Sequence, residues 1–491
     1  MSSASATPIL DTKRGKQILM LLLAVAFLDF VDASIVNVAL PSIRADLGFS
    51  VRNLQWVLTG YLLTYGGLML LGGRAADLFG RRRLLVAGTV QFAGSSLAAG
   101  VAPDDTVLIV VRMIQGAGAA MMIPAALSIL TTTFTEPGDR YKAMGAWGAV
   151  GGLASAVGVF LGGVITDFID WRWVFFVNLP AAALILRAIF HLVPADEKVE
   201  RRGSLDVLGA LLVTVGMLVL VYTIVEAPGV GWGHARTIAG FAGAGVILAV
   251  FAGYEAKHRN PVFPLSIFRV KGLAAADVTM VAAMAGFYTM FLLITLYQQN
   301  VLGLGPLPAG AAYVPAALGV AISAGISTNL MAKVGTRPVI VVGATLGAGG
   351  IFWLSKIPVD GSYWSNILPG LMVTALGLGG VLVGTTTAAQ DGVSPDKAGL
   401  AAALINSSLW LGGALGVAIF TAVATSTTAD RLAEHAPQGE ALTAGFQDAL
   451  LMAAIFLAAA AVIAIRSPNT HGEMAAPPAR EPAPELASEV A

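Results

Sequence analysis

The chain has 491 residues, 56% hydrophobic and only 12% charged, with 29 basic side chains balancing 29 acidic ones and a mean hydropathy of +0.79. A soluble domain carries about twice that share of charge; the composition points to an all-α protein with the lipid bilayer as its solvent, and zero net charge gives no reason to expect a nucleic-acid partner. With no cysteine, disulfides, thiolate metal sites and cysteine nucleophiles are excluded.

Fourteen apolar blocks are predicted to span the membrane, most close to the roughly 20 residues that crossing a hydrocarbon core requires. The first (17–41) follows Lys13, Arg14 and Lys16, with no small-residue cleavage site after it, so a retained helix is expected. Its second half, AVAFLDFVDASIVNVALP (24–41), buries Asp29 and Asp32, three apart and so on one helical face. The second block (54–73) opens LQWVLTGYLL and runs into GGRAADLFGRRR (72–83). There Gly73 is expected to let the helix end approach a neighbour, Asp77 to cap or pair, Gly80 to permit a tight turn, and Arg81, Arg82 and Arg83 to hold the loop at the membrane face. After the third block (83–102), the fourth (106–131) contains RMIQGAGAA, with Arg112 inside the span.

The fifth block (142–166) carries GAVGGLASAVGVFLGG, whose Gly151, Gly158, Gly162 and Gly163 form a small-residue packing surface. The sixth (173–193) begins within WRWVFFVNLP. Basic linkers, PADEKVERRGS (194–204) and EAKHRNPVFPLSIFRVKG (255–272), bracket the seventh and eighth (205–226 and 237–254). The remaining six lie near 273–298, 309–333, 338–356, 365–389, 399–426 and 447–466. The expected organisation is a terminal segment (1–16), six helices (17–193), a two-helix insert with its loops (194–272), six more helices (273–466) and a Pro/Ala/Glu-rich disordered tail (467–491). An echo between GGRAADLFGRRR and LMAKVGTRP (330–338) aligns Gly80 and Arg82 with Gly335 and Arg337, as two related halves would. Twenty-one of the 29 Lys/Arg fall on the side of the chain ends, against six on the other (Arg44, Arg52, Arg172, Arg236, Lys356 and Arg431), so both termini are expected to be cytoplasmic.

Depth relates the buried charges. At about 1.5 Å per residue, Asp32 lies roughly 13 Å and Arg112 roughly 10 Å below the same face, with Asp29 about 18 Å deep. Asp32 is therefore the expected partner of Arg112. Two carboxylates this close need not both be ionised at once. A group that gains a proton in one state and loses it in another is what a proton-coupled carrier needs; the alternative is an ion pair that merely fixes helices 1 and 4. Asp277 near the start of the ninth span, Asp206 as a helix cap and Glu226 at a helix end are weaker candidates.

The ordered G-x-x-x-D-x-x-G-R-R-R of residues 73–83 resembles the signature loop of the major facilitator superfamily. DASIVNVALP (32–41), LQWVLTGYLL, RMIQGAGAA, WRWVFFVNLP, EAPGVGW (226–232), YQQNVLG (297–303) and INSSLWLGGALGVA (405–418) together resemble the fourteen-span drug:H+ antiporters of the EmrB/QacA type, over nearly the whole chain. The resemblance implies the major facilitator fold, two six-helix bundles plus a two-helix insert. It also implies proton-coupled efflux by alternating access, with Tyr61 and Gln298 in the cavity; Asn37 and Gln115, polar groups that prefer the bundle interior, and Tyr297, an aromatic that could line an apolar pocket, are further candidate cavity residues. One departure is Gly158-Val159, where these antiporters carry Gly-Pro in the fifth helix. No Walker motif and no H-E-x-x-H occurs, so the expectation is a non-enzymatic carrier driven by the proton gradient, with no cofactor and no metal, working as a monomer on an amphipathic small molecule. A dedicated exporter of an endogenous lipid or self-made antibiotic is the near alternative, and a membrane-embedded enzyme the remote one.

Overall fold

The computed structural model describes residues 9–196, 206–258, 272–391 and 398–470, with positions 261, 267, 270 and 393 between them. Of the expected disordered tail (467–491), residues 467–470 are instead ordered, because Asn469 and Thr470 bond to Arg337 and Thr336; the rest of the tail, and most of the two basic linkers, lie outside the described residues. Among the described residues there are helices and no strands, as a chain whose backbone polar groups must be satisfied in lipid requires.

The fourteen long helices are α1 (Lys13–Leu47), α2 (Trp56–Phe79), α3 (Arg81–Gly100), α4 (Asp105–Thr133), α5 (Pro137–Phe168), α6 (Trp173–Leu192), α7 (Val207–Val230), α8 (Ala235–Glu255), α9 (Leu273–Asn300), α10 (Pro306–Val334), α11 (Thr336–Leu354), α12 (Tyr363–Gln390), α13 (Ala398–Ala433) and α14 (Gln438–Ile465). Among the described residues, thirteen are long and apolar enough to cross a membrane. The other, α3, is 20 residues long but more polar, and part of that polarity is spent inside the protein, because Ser95 and Ser96 are buried. Caps fix several starts. Asp104 accepts from the Val107 amide at 2.8 Å, and Asp206 from the Gly209 amide at 2.8 Å, as expected of it.

Packing repeats between the two halves. The pairs α1·α5, α2·α4, α3·α4, α3·α6 and α1·α6 recur as α9·α13, α10·α12, α11·α12, α11·α14 and α9·α14. The halves meet through α5 on α10 and, reciprocally, α2 on α13. Helix α8 packs on α7, and α7 lies against both α2 and α13.

The echoed loops show the repeat in atomic detail. Gly80 turns with φ 103°, and behind it Asp196, just past α6, accepts from the amides of Arg82 (3.0 Å) and Arg83 (2.9 Å) at the start of α3. Gly335 turns with φ 88°, and Asn469, just past α14, accepts from the Arg337 amide (3.0 Å) at the start of α11. Each half thus ties its second-to-third-helix turn to its own last helix. Both turns need glycine, since other residues are strained at positive φ.

The two ends of the described chain pack against helix starts. The Leu10 amide donates to Asp139 at the start of α5 (2.9 Å), and the Thr336 amide to the Thr470 carbonyl (2.7 Å). Several close approaches join the halves. Gln299, at the end of α9, donates to the Val38 carbonyl of α1 (3.0 Å). The backbone of α10 at Pro306 and Leu307 abuts Gly163 of α5, and the Val159 carbonyl abuts Gly310.

Glycine placement corrects one expectation. Gly73 has only an ordinary contact with Pro124; Gly72 is pressed against the Ala120 carbonyl, so the close approach of α2 to α4 belongs to the preceding residue. On α5, Gly158 and Gly162 lie against Val31, Ser34 and Ile35 of α1, whereas Gly151 faces Phe30 with room to spare. The α5 glycines therefore serve two seams, one within the first half and one between halves.

Candidate functional site

The two carboxylates of the first helix sit in different surroundings, although both are fully buried. Asp32 is the centre of a charged network. Arg112 Nη1 of α4 donates to its Oδ2 at 2.8 Å; on Oδ1 it accepts from Gln115 Nε2 at 2.9 Å and Asn178 Nδ2 of α6 at 2.6 Å. Arg112 also donates to Gln115 Oε1 (2.6 Å) and, through Nε, to the Val57 carbonyl of α2 (3.1 Å). Ser96 of α3 accepts from Gln115 and Asn178 at 2.9 and 3.2 Å. Helices α1, α2, α3, α4 and α6 thus meet at one ion pair. A charge pair this deep needs hydrogen bonds to its remaining lone pairs and protons; the carboxylate has them, whereas Arg112 Nη2 and Asn178 Oδ1 find no hydrogen-bond partner.

Asp29 is held by neutral groups. Tyr61 Oη donates to its Oδ1 (2.9 Å) and Tyr65 Oη to its Oδ2 (2.8 Å). Tyr61 joins the two carboxylates, since the Arg112 guanidinium lies 4.2 Å from its ring centroid in a cation–π contact while its hydroxyl reaches Asp29.

The other candidates separate. Tyr61 and Gln115 belong to this network and not to an open cavity wall. Tyr297 is buried, its hydroxyl donating to the Pro358 carbonyl, so it ties α9 to the 355–361 turn. Gln298 is buried near Tyr313 of α10, and Asn37 is buried with its Oδ1 lacking a hydrogen-bond partner. In the signature loop Asp77 is exposed, with Arg81 at 3.9 Å; Arg82 donates to the Phe190 carbonyl (3.2 Å) and lies over the Phe190 ring. Asp277 accepts from Ser408 of α13 at 2.9 Å. Among the described residues no group of three or more His, Cys, Asp or Glu is placed to hold a metal.

Sequence reasoning missed Asn178 as a partner of Asp32, Ser96 as the acceptor behind Gln115 and Asn178, and Asp196 and Asn469 as caps. An amide inside an apolar span was the available signal for Asn178; for the two caps the sequence offered only their place just past the last helix of each half.

The match to known proteins fits this arrangement. The family model described as Major Facilitator Superfamily matches residues 22–417. The chain belongs to the major facilitator superfamily. Within it, the chain is 39% identical over 422 residues to the puromycin resistance protein pur8 of Streptomyces alboniger, covering 85% of this chain and 83% of the relative. It is 36% identical over 459 residues to the cephamycin export protein CmcT of Amycolatopsis lactamdurans, covering 92% of each, and 33% identical over 403 residues to the tetracenomycin C resistance and export protein of Streptomyces glaucescens, covering 82% and 74%. Among solved structures, a bacterial homolog of the human lysosomal transporter Spinster, inward-facing and occupied, superposes with a TM-score of 0.62 at 17% identity over 92% of this chain and 97% of that one. A D-xylose–proton symporter gives 0.62 at 16% identity over 94% and 99%. Both carry the same fold. The chain is thus a multi-pass membrane transporter of this superfamily, with the helical architecture its sequence announced.

Proposed function

We propose that this protein is a proton-coupled exporter of amphipathic, apolar-rich small molecules that works by alternating access. The observation that carries the reading is the pair of fully buried carboxylates on α1, one ion-paired to Arg112 and one held by two phenols. Burying charge in a membrane helix is costly, and carriers retain it where protons or ions are handled. Relatives named for antibiotic resistance or export support the export direction and the substrate class. The same names favour a second reading, in which the substrate is a self-made antibiotic instead of a range of foreign compounds; an endogenous lipid is a further candidate for a dedicated exporter.

In the mechanism we propose, a proton enters the Asp29–Asp32 site from one side and leaves to the other, and the two halves, 17–193 and 273–466, rock against each other around it. The 73–83 loop, tied to Asp196, sets how readily they do so, and Val159 at the α5–α10 seam tunes coupling. The excess of Lys/Arg on the terminal face supports cytoplasmic termini in a cell membrane. The driving force is the proton gradient, with no cofactor; the protein acts as a monomer, and no enzymatic step is part of the proposal. The test is dye efflux in everted vesicles with and without a protonophore. Energised vesicles should accumulate dye and lose it when the gradient collapses; accumulation that persists without a gradient overturns the reading.

A further inference from the structure

Asp29 is where the buried polar site reaches the other half of the molecule. Tyr65, which donates to Asp29, is stacked on Trp410 of α13, with ring centroids 4.3 Å apart and planes 25° from parallel. Trp410 is 2% exposed and also meets Tyr61 edge-on (6.5 Å, 88°) and Phe30 of α1 (6.1 Å). At Gly66, next to Tyr65, an added Cβ would lie only 3.0–3.1 Å from Leu411 and Trp410, so α2 and α13 pack closely at this level. Farther along the same face of α13, Ala414, Ala418 and Ala422 are buried in the core cluster of the first half. The titratable or charged groups facing Asp29 are Asp32 on its own helix, Tyr61 and Tyr65 on α2, Arg112 on α4 and Tyr288 on α9.

We propose that Tyr65 and Trp410 are positioning residues that pass the charge state of Asp29 to the α2–α13 contact, and so to the arrangement of the two halves. This rests on the proton coupling proposed above. An ionised carboxylate is acceptor-only and receives both phenol hydroxyls; a protonated one presents an O–H that must itself donate. Uptake of one proton by Asp29 therefore forces one phenol to turn away or reverse its bond. Tyr61 is pinned by the Arg112 guanidinium on its ring. Tyr65 is the phenol whose ring lies directly on the other half, so its rearrangement changes what Trp410 rests on.

Because the chain has no cysteine, spin labels can be introduced directly at Thr135→Cys and Lys333→Cys, which place one label on each half at the terminal face. The measurement is the distance distribution between them in lipid nanodiscs, from acidic to alkaline pH. Wild type should redistribute with pH. Asp29→Asn should hold one distribution at every pH. Tyr65→Phe, which keeps the ring and removes the hydroxyl, and Trp410→Leu should each shrink the pH-dependent change in population by about tenfold, and Trp410→Phe should restore part of it. A merely structural role would alter expression and leave the pH profile of the folded fraction unmoved. If Tyr65→Phe and Trp410→Leu redistribute like wild type, or Asp29→Asn still responds to pH, the inference is overturned even though proton-driven efflux stands. If wild type neither redistributes nor transports against a gradient, the proposed function falls and takes the inference with it.

Discussion

Replacing Asp32 by asparagine keeps the shape of the side chain and removes its charge. In the structure three donors converge on this carboxylate, from Arg112, Gln115 and Asn178. An asparagine offers one oxygen and turns an NH2 group toward donors, so at least one bond is lost. At 2.8 Å and an effective dielectric of about 20, the attraction to Arg112 is worth about 6 kcal/mol, against which the desolvation of both ions must be set. Removing one partner of such a pair costs about 3–5 kcal/mol, because the other charge is left buried and uncompensated. Asp32→Asn and Arg112→Gln should therefore each destabilise the protein by about that amount. The double variant carries neither charge and should be less destabilised than the sum of the two by at least about 2 kcal/mol. Denaturant titrations of the purified protein in detergent, followed by tryptophan fluorescence, measure all four corners of this cycle. Strictly additive losses would mean that Arg112 is satisfied by Gln115, Val57 and the Tyr61 ring without Asp32, and the pair would not be the organising feature of the site.

Three further outcomes follow from the packing. Gly162→Leu drives a side chain into the Ile35 backbone and should cost about 1–3 kcal/mol, whereas Gly151→Leu, facing only the Phe30 ring, should cost less; equal losses in the same titration would contradict the assignment of the α1–α5 seam. Asp196→Ala removes the acceptor for two amides at the start of α3 and should cost about 1–2 kcal/mol, with Asp196→Asn closer to wild type; no loss would mean that other groups cap that helix. Asp77→Asn loses only an exposed, loose contact with Arg81, so stability should change by less than about 1 kcal/mol while transport of every substrate slows by a similar factor. A selective loss for one substrate would place Asp77 in recognition instead of conformational exchange.

What the sequence made legible was axial. Block length gave the spans, and the 1.5 Å rise of a helix put Asp32 and Arg112 at one depth, where the structure pairs them. Azimuth was not legible, because each residue turns a helix by about 100° and only the neighbours decide which side is occupied. For that reason Tyr61 and Gln115, expected on a cavity wall, turn out to lie inside the ion-pair network, and Gly72 makes the close approach expected of Gly73. Depth offers Asp29 no charged partner. Its partners are two phenols of α2, and sequence gives no sign that a tyrosine hydroxyl points at a carboxylate on another helix. Trp410 lies 345 positions beyond Tyr65 in the chain, and its stacking depends on how the two halves dock, which no local pattern encodes.

The central claim is that the α1 carboxylates exchange the proton that drives export. It is tested most directly by recording proton and substrate flux together in proteoliposomes under an imposed pH gradient, for wild type, Asp32→Asn and Asp29→Asn. Wild type should move substrate against its gradient with protons flowing the other way. Both variants should still exchange substrate down its gradient yet lose gradient-driven accumulation, Asp29 included, because its phenol contacts place it inside the site. If both variants accumulate substrate with the wild-type proton flux, the two aspartates are structural and the coupling site lies elsewhere.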